Sequence, residues 1–189
     1  MRPNLSMLLA SAWIAAPLSA AVTTAPSASS AASATPPSSA SSAASVPSLK
    51  SLPAFVLPDL EGKSHDSKEW KGKVVVIDFW ATWCTGCRET IPVLQRLRAK
   101  FGAKGLMVAG ITVDKGPKEK IARFTRKVKM DYQVLWDAEE SLSPVFGYEG
   151  LPSVYVFGRD GALLKAMPQY TAALEKEMEA LVEGQFQGR

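Results

Sequence analysis

The chain has only two cysteines, both inside Trp83-Cys84-Thr85-Gly86-Cys87, and their spacing is that of a dithiol able to cycle between bonded and separate states. A Cys-x-x-Cys spans one helical turn, so the two sulfurs can bond or part with little backbone movement. As a staple the pair would do little, because so short a loop removes little entropy from the unfolded chain. Its chemistry is exchange. The thiolate is the species that attacks a disulfide, and the free amides and positive end of a helix N-terminus stabilise it. A helix starting here puts Cys84 at its mouth as nucleophile and Cys87, one turn inside, as the resolving thiol. Covalent haem attachment is excluded because Arg88, not histidine, follows Cys87. With two cysteines and one histidine, a four-ligand Cys/His zinc site cannot be built in one chain either. Capture of a soft ion such as Cu(I) by the same two thiols stays open, as does a catalytically idle domain that only recruits partners.

Position matters as much as spacing. The run Val74 to Trp80 is apolar and largely β-branched, as in a strand buried on both faces, and it ends just before the cysteines. Asp78 interrupts it. A carboxyl there is costly to bury, and desolvation raises its pKa toward the range useful for proton transfer with Cys87. The competing reading is a strand-end aspartate satisfied by backbone amides or by Lys73. After the cysteines, Ile91, Leu94, Leu97 and Phe101 fall at helical spacing, with Pro92 expected to bend the helix by removing the donor for the Arg88 carbonyl.

Further strands are expected over Leu106 to Val113 and Tyr132 to Trp136, with a basic amphipathic helix over Pro117 to Met130 between them. Val154 to Phe157 and Ala162 to Met167 flank Gly158-Arg159-Asp160-Gly161, a hairpin by its turn chemistry. Thr171 to Val182 reads as a closing helix capped by Thr171. This β-α-β-α-β order followed by a hairpin and a helix implies an α/β fold with parallel first strands, covered by helices. In such sheets chemistry sits where strand ends meet helix starts. Pro152, opening a strand after Gly150-Leu151, is compatible with a cis bond.

Taken together, Asp78-Phe79-Trp80-Ala81-Thr82-Trp83-Cys84-Thr85-Gly86-Cys87, Pro92 and Gly150-Leu151-Pro152-Ser153 before a hairpin resemble the thioredoxin superfamily. The lead-in from Phe55 to Gly62, Gly72-Lys73 before the strand and the exported context make the chain similar to the TlpA/ResA-like thiol-disulfide oxidoreductases. The resemblance spans about Pro53 to Val182. It implies a thioredoxin-like fold with a central mixed β-sheet flanked by helices, and a cis Pro152 packed against the cysteine pair. It further implies a substrate-binding rim of Trp83, Thr85, Gly86 and Leu151 beside Pro152. The activity implied is reduction of disulfides in client proteins outside the cytoplasm by a monomer that needs no cofactor beyond its own cysteine pair. A membrane thiol reductase would supply the electrons, and apocytochromes c and copper-site assembly factors are the kinds of client. Two departures stand out. Gly86 occupies a position where the family commonly has proline, and Thr90 stands where many members carry glutamate, leaving Asp78 to carry proton transfer alone. The related peroxiredoxins are a further alternative, but their peroxide-reactive cysteine usually follows a threonine by three residues. Here that residue is Ala81, with Thr82 only two before Cys84.

The first fifty residues are of a different kind. Between Arg2 and Lys50 there is no ionisable side chain. Arg2, the apolar run Leu5 to Ala16, and Ser19-Ala20-Ala21 form a secretory signal pattern over residues 1–21, with cleavage expected after Ala21. An uncleaved anchor is the competing reading. Residues 22–50, almost wholly Ala, Ser, Pro and Thr, cannot form a core and read as a linker, which would tether the domain if the anchor were kept. The folded domain is then residues 51–189, located in the bacterial periplasm, soluble after cleavage or membrane-anchored. A net charge of +4 in 189 residues does not point to nucleic acid. Lys118, Lys120, Arg123, Arg126, Lys127 and Lys129 concentrate basic charge on one helix. That is a solvated face or a dock for an acidic partner or anionic membrane surface. His65, in a polar stretch, reads as a solvated loop residue. Trp80 reads as core and Trp83 as exposed rim.

Overall fold

The structure, a computed structural model, describes residues 49–187, so the signal or anchor and nearly all of the linker lie outside the described residues. A hairpin of β1 (Val56–Pro58) and β2 (Ser64–Asp66) turns through Asp59 to Gly62, where the Gly62 amide returns to the Asp59 carbonyl. Next come β3 (Val74–Trp80), α1 (Cys87–Phe101), β4 (Leu106–Thr112), α2 (Lys118–Lys127), β5 (Gln133–Trp136), α3 (Ser143–Phe146), β6 (Ser153–Phe157), β7 (Leu163–Met167) and α4 (Glu175–Gly184). Five strands make one mixed sheet in the order β5-β4-β3-β6-β7. Strand β3 pairs in parallel with β4 and antiparallel with β6, and the outer pairs β4/β5 and β6/β7 are parallel and antiparallel respectively. This is the α/β, thioredoxin-like arrangement the motif order implies.

All seven residues of β3 are buried, which explains why its sequence is apolar at every position but Asp78 rather than alternating. Val75, Ile77 and Phe79 face an aromatic layer in which the Phe146 ring stands 4.9 Å from Phe79 and 5.0 Å from Tyr155. Val74 and Val76 belong to the other core, with Leu94 and Leu97 of α1 and Met178 and Val182 of α4. The centre of the sheet is thus fixed from both faces, and the end of β3 is a rigid platform for the cysteine turn.

At the start of the described residues the Lys50 carbonyl accepts the Leu163 amide, and Leu49 and Leu52 pack on the core. Two expectations are corrected. Thr171 does not cap α4 with its side chain. It is extended, its carbonyl accepts the Leu174 amide, and a 3-10 turn over Ala172–Leu174 precedes a helix that starts only at Glu175. His65 is no solvated loop residue, because the β1–β2 hairpin folds against β5 and encloses it. Its side chain is 15% exposed, bonded to Asp59 at 2.8 Å and to Gln133 at 2.6 Å. Pro92 lies inside α1, as the spacing places it. Among the described residues no helix is long and apolar enough to cross a membrane.

Candidate active site

Cys84 and Cys87 lie between the end of β3 and the first residue of α1, and they are joined in a disulfide. Gly86 occupies the position before the helix and has no side chain to cap it. The amide of Cys87 instead donates to the Cys84 sulfur at 3.1 Å. In the dithiol state the same amide and the positive helix end favour a thiolate on Cys84. Exposure distinguishes the two cysteines. Cys84 keeps 6% of its surface and Cys87 none, so an incoming macromolecule reaches Cys84 first.

The cis Leu151-Pro152 bond sits across from Gly86, and Pro152 is buried. A Cβ on residue 86 would stand 3.2 Å from the Pro152 Cδ, so glycine lets the two loops close on one another. Thr85 and Gly86 are exposed, Leu151 is half-buried, and Trp83 projects with 67% of its surface free. Trp83, Thr85 and Gly86 adjoin the cysteines in the turn itself, Pro152 meets Gly86 across it, and Leu151 packs on the core cluster that includes both cysteines. Trp80 is wholly buried, stacked on Phe124 at 5.4 Å.

Asp78 lies beneath this rim in the middle of the sheet, wholly buried. It is not the amide- or lysine-satisfied residue of the competing reading. Its Oδ2 receives only a long 3.5 Å contact from the Thr90 hydroxyl, and Oδ1 has no partner among the described residues. Desolvation pushes its pKa well above the usual carboxylate range, against the smaller opposing pull of Thr90. Thr90 also donates to the Cys87 carbonyl at 2.8 Å, so the residue standing where the family often has an acid bridges Asp78 and the turn that carries Cys87. Opposite Asp78 on β4 is Gly110, where an added Cβ would meet the Tyr132 ring at 2.9 Å and the Trp80 indole nitrogen at 3.0 Å. Burial, and secondarily the Asp78 charge, raises Tyr132 well above its ordinary range. Aromatic rings thus crowd the position opposite Asp78, and among the described residues no cation is bonded to it.

One residue of the site was not singled out from sequence. Asp114, buried just beyond β4, accepts the Thr82 amide at 2.8 Å, the Thr82 hydroxyl at 2.7 Å and the Thr112 hydroxyl at 2.8 Å. Its carbonyl accepts the Trp136 indole at 2.7 Å. These bonds tie the segment before Cys84 to the ends of two neighbouring strands. The only available signal was an acid at a strand end, which is common to many loops. Replacing Asp114 by alanine strands three donors, each costing about 1–3 kcal/mol when left buried and unpaired, so Asp114→Ala is expected to lose about 3 kcal/mol or more. A urea titration checks this: the midpoint should fall with an unchanged slope.

With this geometry in place, the chain can be set beside known proteins. The AhpC/TSA family profile matches residues 49–166. Thiol-disulfide oxidoreductase ResA from Geobacillus thermodenitrificans is 27% identical over 125 residues, covering 66% of this chain and 70% of that protein. The ResA protein of Bacillus thuringiensis is 29% identical over 116 residues, covering 61% of this chain and 66% of the relative. Among solved structures, a thiol:disulfide interchange protein assigned as DsbE from Chlorobium tepidum is similar with a TM-score of 0.67 and 27% identity, over 71% of this chain and 94% of that one. A secreted Mycobacterium tuberculosis disulfide oxidoreductase shares the fold, with a TM-score of 0.61 and 23% identity over 69% of this chain and 95% of that one.

Proposed function

The chain belongs to the AhpC/TSA family, and from that membership we propose that it works outside the cytoplasm, reducing disulfides of client proteins. Its relatives and its bonded Cys-x-x-Cys pair make it a thiol-disulfide oxidoreductase of the ResA and DsbE kind. The observation that carries the reading is the placement of the pair. The sulfur that receives a helix amide is also the one that keeps exposure, and Thr90 stands between a buried carboxyl and the backbone carbonyl of the other cysteine.

In the proposed cycle the Cys84 thiolate attacks one sulfur of a client disulfide, breaking that bond and expelling the other client sulfur as a thiolate. Asp78 then takes the proton from Cys87, through Thr90's neighbourhood, and the Cys87 thiolate attacks Cys84. The Cys84–Cys87 bond forms, the mixed disulfide breaks, and the two client thiolates take up one proton that Asp78 releases and one from water, so the client leaves with two thiols. Two electrons have passed to the client. An external dithiol, in this reading a membrane thiol reductase, restores the pair by the same exchange, so no further cofactor is required.

Trp83, Thr85, Gly86, Leu151 and Pro152 form the surface against which the client chain lies. The N-terminal signal pattern supports export to the periplasm, soluble as a monomer if cleaved or tethered through residues 22–48 if retained. Apocytochromes c are the client class to test first. The peroxidase alternative draws no support from Thr82, whose hydroxyl donates to Asp114 rather than to Cys84.

Equilibrating the Cys84/Cys87 pair with a thiol buffer and following insulin or apocytochrome disulfides tests the reading. A couple near roughly −270 mV with turnover is expected. A couple near roughly −120 mV would make the protein an oxidant. Tight Cu(I) binding with negligible turnover would replace the reductase reading with a metal-delivery one.

A further inference from the structure

Beside Cys84, the exposed Trp83 and the half-buried Phe124 of α2 line a shallow groove, and four cations line it with them: Arg88 from the first turn of α1, and Lys120, Arg123 and Lys127 from α2. The Arg88 guanidinium lies 5.9 Å from the centre of the Phe124 ring, so the two helices share one wall. None of the four is in an ion pair among the described residues. Farther along α1 the pattern is the reverse. Arg96, Arg98 and Lys100 each meet a carboxylate, from Glu175, Asp131 and Glu183. Glu89 and Glu119, the acids adjoining the groove in sequence, make no bridge to its cations.

Like charges gathered along an apolar groove repel one another and cost stability unless a partner neutralises them. We propose that this groove binds an acidic segment of the client polypeptide, next to the cystine that Cys84 attacks. An apolar or aromatic client residue would sit on Trp83 and Phe124, and Asp or Glu side chains would meet Arg88, Lys120, Arg123 and Lys127. The inference deepens the reductase reading and rests on it, because it assigns the kind of client that the same site selects. A polypeptide fits better than a membrane surface, since the cations and two aromatic rings line a groove beside the nucleophile. A lipid surface asks only for a flat basic face. Electrostatic selection of this kind acts mainly on association and is screened by salt.

The test uses three cystine peptides identical except for flanking Asp/Glu, Ser or Lys residues, with the chain pre-reduced. At low salt kcat/KM for the acidic peptide is expected to exceed that for the basic one by about tenfold or more, within the range electrostatic steering supplies. Near 1 M salt, where the Debye length falls to about 3 Å, the ratio should collapse toward unity. The triple variant Lys120→Glu/Arg123→Glu/Lys127→Glu, whose changes fall on side chains that make no ion pair, should invert the ratio. Equal rates for the three peptides, or a ratio insensitive to both salt and charge reversal, would overturn the proposal while leaving the reductase reading intact. No reduction of any peptide, with hydroxyethyl disulfide also untouched, would instead sink the reductase reading itself. Binding to anionic phosphatidylserine vesicles lost in the triple variant, with equal peptide rates, would assign the patch to a membrane and also overturn the proposal.

Discussion

Cys84→Ser is expected to bring disulfide reduction down to the uncatalysed background, while Cys87→Ser is expected to stop the cycle halfway, as a covalent adduct between Cys84 and the client. The asymmetry comes from geometry. Cys84 alone keeps exposed surface, and its sulfur alone receives the Cys87 amide. Without that sulfur the first bond cannot form, and wholly buried Cys87 offers a client no route of attack. Without Cys87 the first exchange still proceeds, but nothing within reach breaks the mixed disulfide. Non-reducing electrophoresis with mass spectrometry of the adduct reads the result directly. Adducts forming through Cys87 in the Cys84→Ser protein would reverse the assignment of nucleophile and resolver. Each serine change puts a smaller, polar hydroxyl where a sulfur packs in the core, so a melt in the presence of reductant is the control that must show both variants folded.

The cysteine pair, β3, Asp78 and the Gly150 to Ser153 segment were legible because each concentrates its signal in a short stretch. A seven-residue apolar run can only be buried on two faces, and a carboxyl inside it is conspicuous. What sequence did not show depends on distant partners. His65 stands among charged residues in a three-residue strand, and nothing local says that β5 will close over it. Asp114 is one acid at one strand end, and only the fold brings Thr82, which precedes it by 32 positions, within 2.7 Å. Thr90 looked like a missing acid, yet packing makes it the link between Asp78 and the Cys87 carbonyl. Thr171 fails as a cap because the Tyr170 amide is held by the Pro152 carbonyl and leads the chain in extended, an effect of tertiary pairing on a helix end. Local pattern fixes elements; which polar groups meet is decided by topology.

Asp78→Asn should separate function from stability, moving them in opposite directions. Asparagine keeps the shape of the side chain and can still accept from Thr90, but it cannot take the Cys87 proton. If Asp78 is the base for the resolving step, disulfide reduction near neutral pH should slow by about 10²-fold, the lower end of what general acid–base catalysis contributes. The pH–rate profile should also lose its acid limb. Stability should respond the other way. Burial raises the Asp78 pKa above 3.8, so the folded chain binds more protons than the unfolded chain from 3.8 up to the native value. Across that interval wild-type stability falls as pH rises, and it stays lowered above it. An asparagine in its place has no such titration. The variant should therefore be more stable than wild type at neutral pH, with the difference shrinking as pH drops and gone below about 3.8. The groups facing the carboxyl do not cancel this trend. Thr90 offers one long hydrogen bond, Tyr132 and Tyr170 are raised and uncharged at neutral pH, and no cation is bonded to it among the described residues. Urea midpoints over a pH series, together with single-turnover reduction at the same pH values, test both halves. Unchanged kinetics with the predicted stability gain would leave Asp78 a buried burden of the fold without a role in exchange. Slowed kinetics with that gain would mean that the fold gives up stability at this position to keep a proton acceptor linked through Thr90 to Cys87.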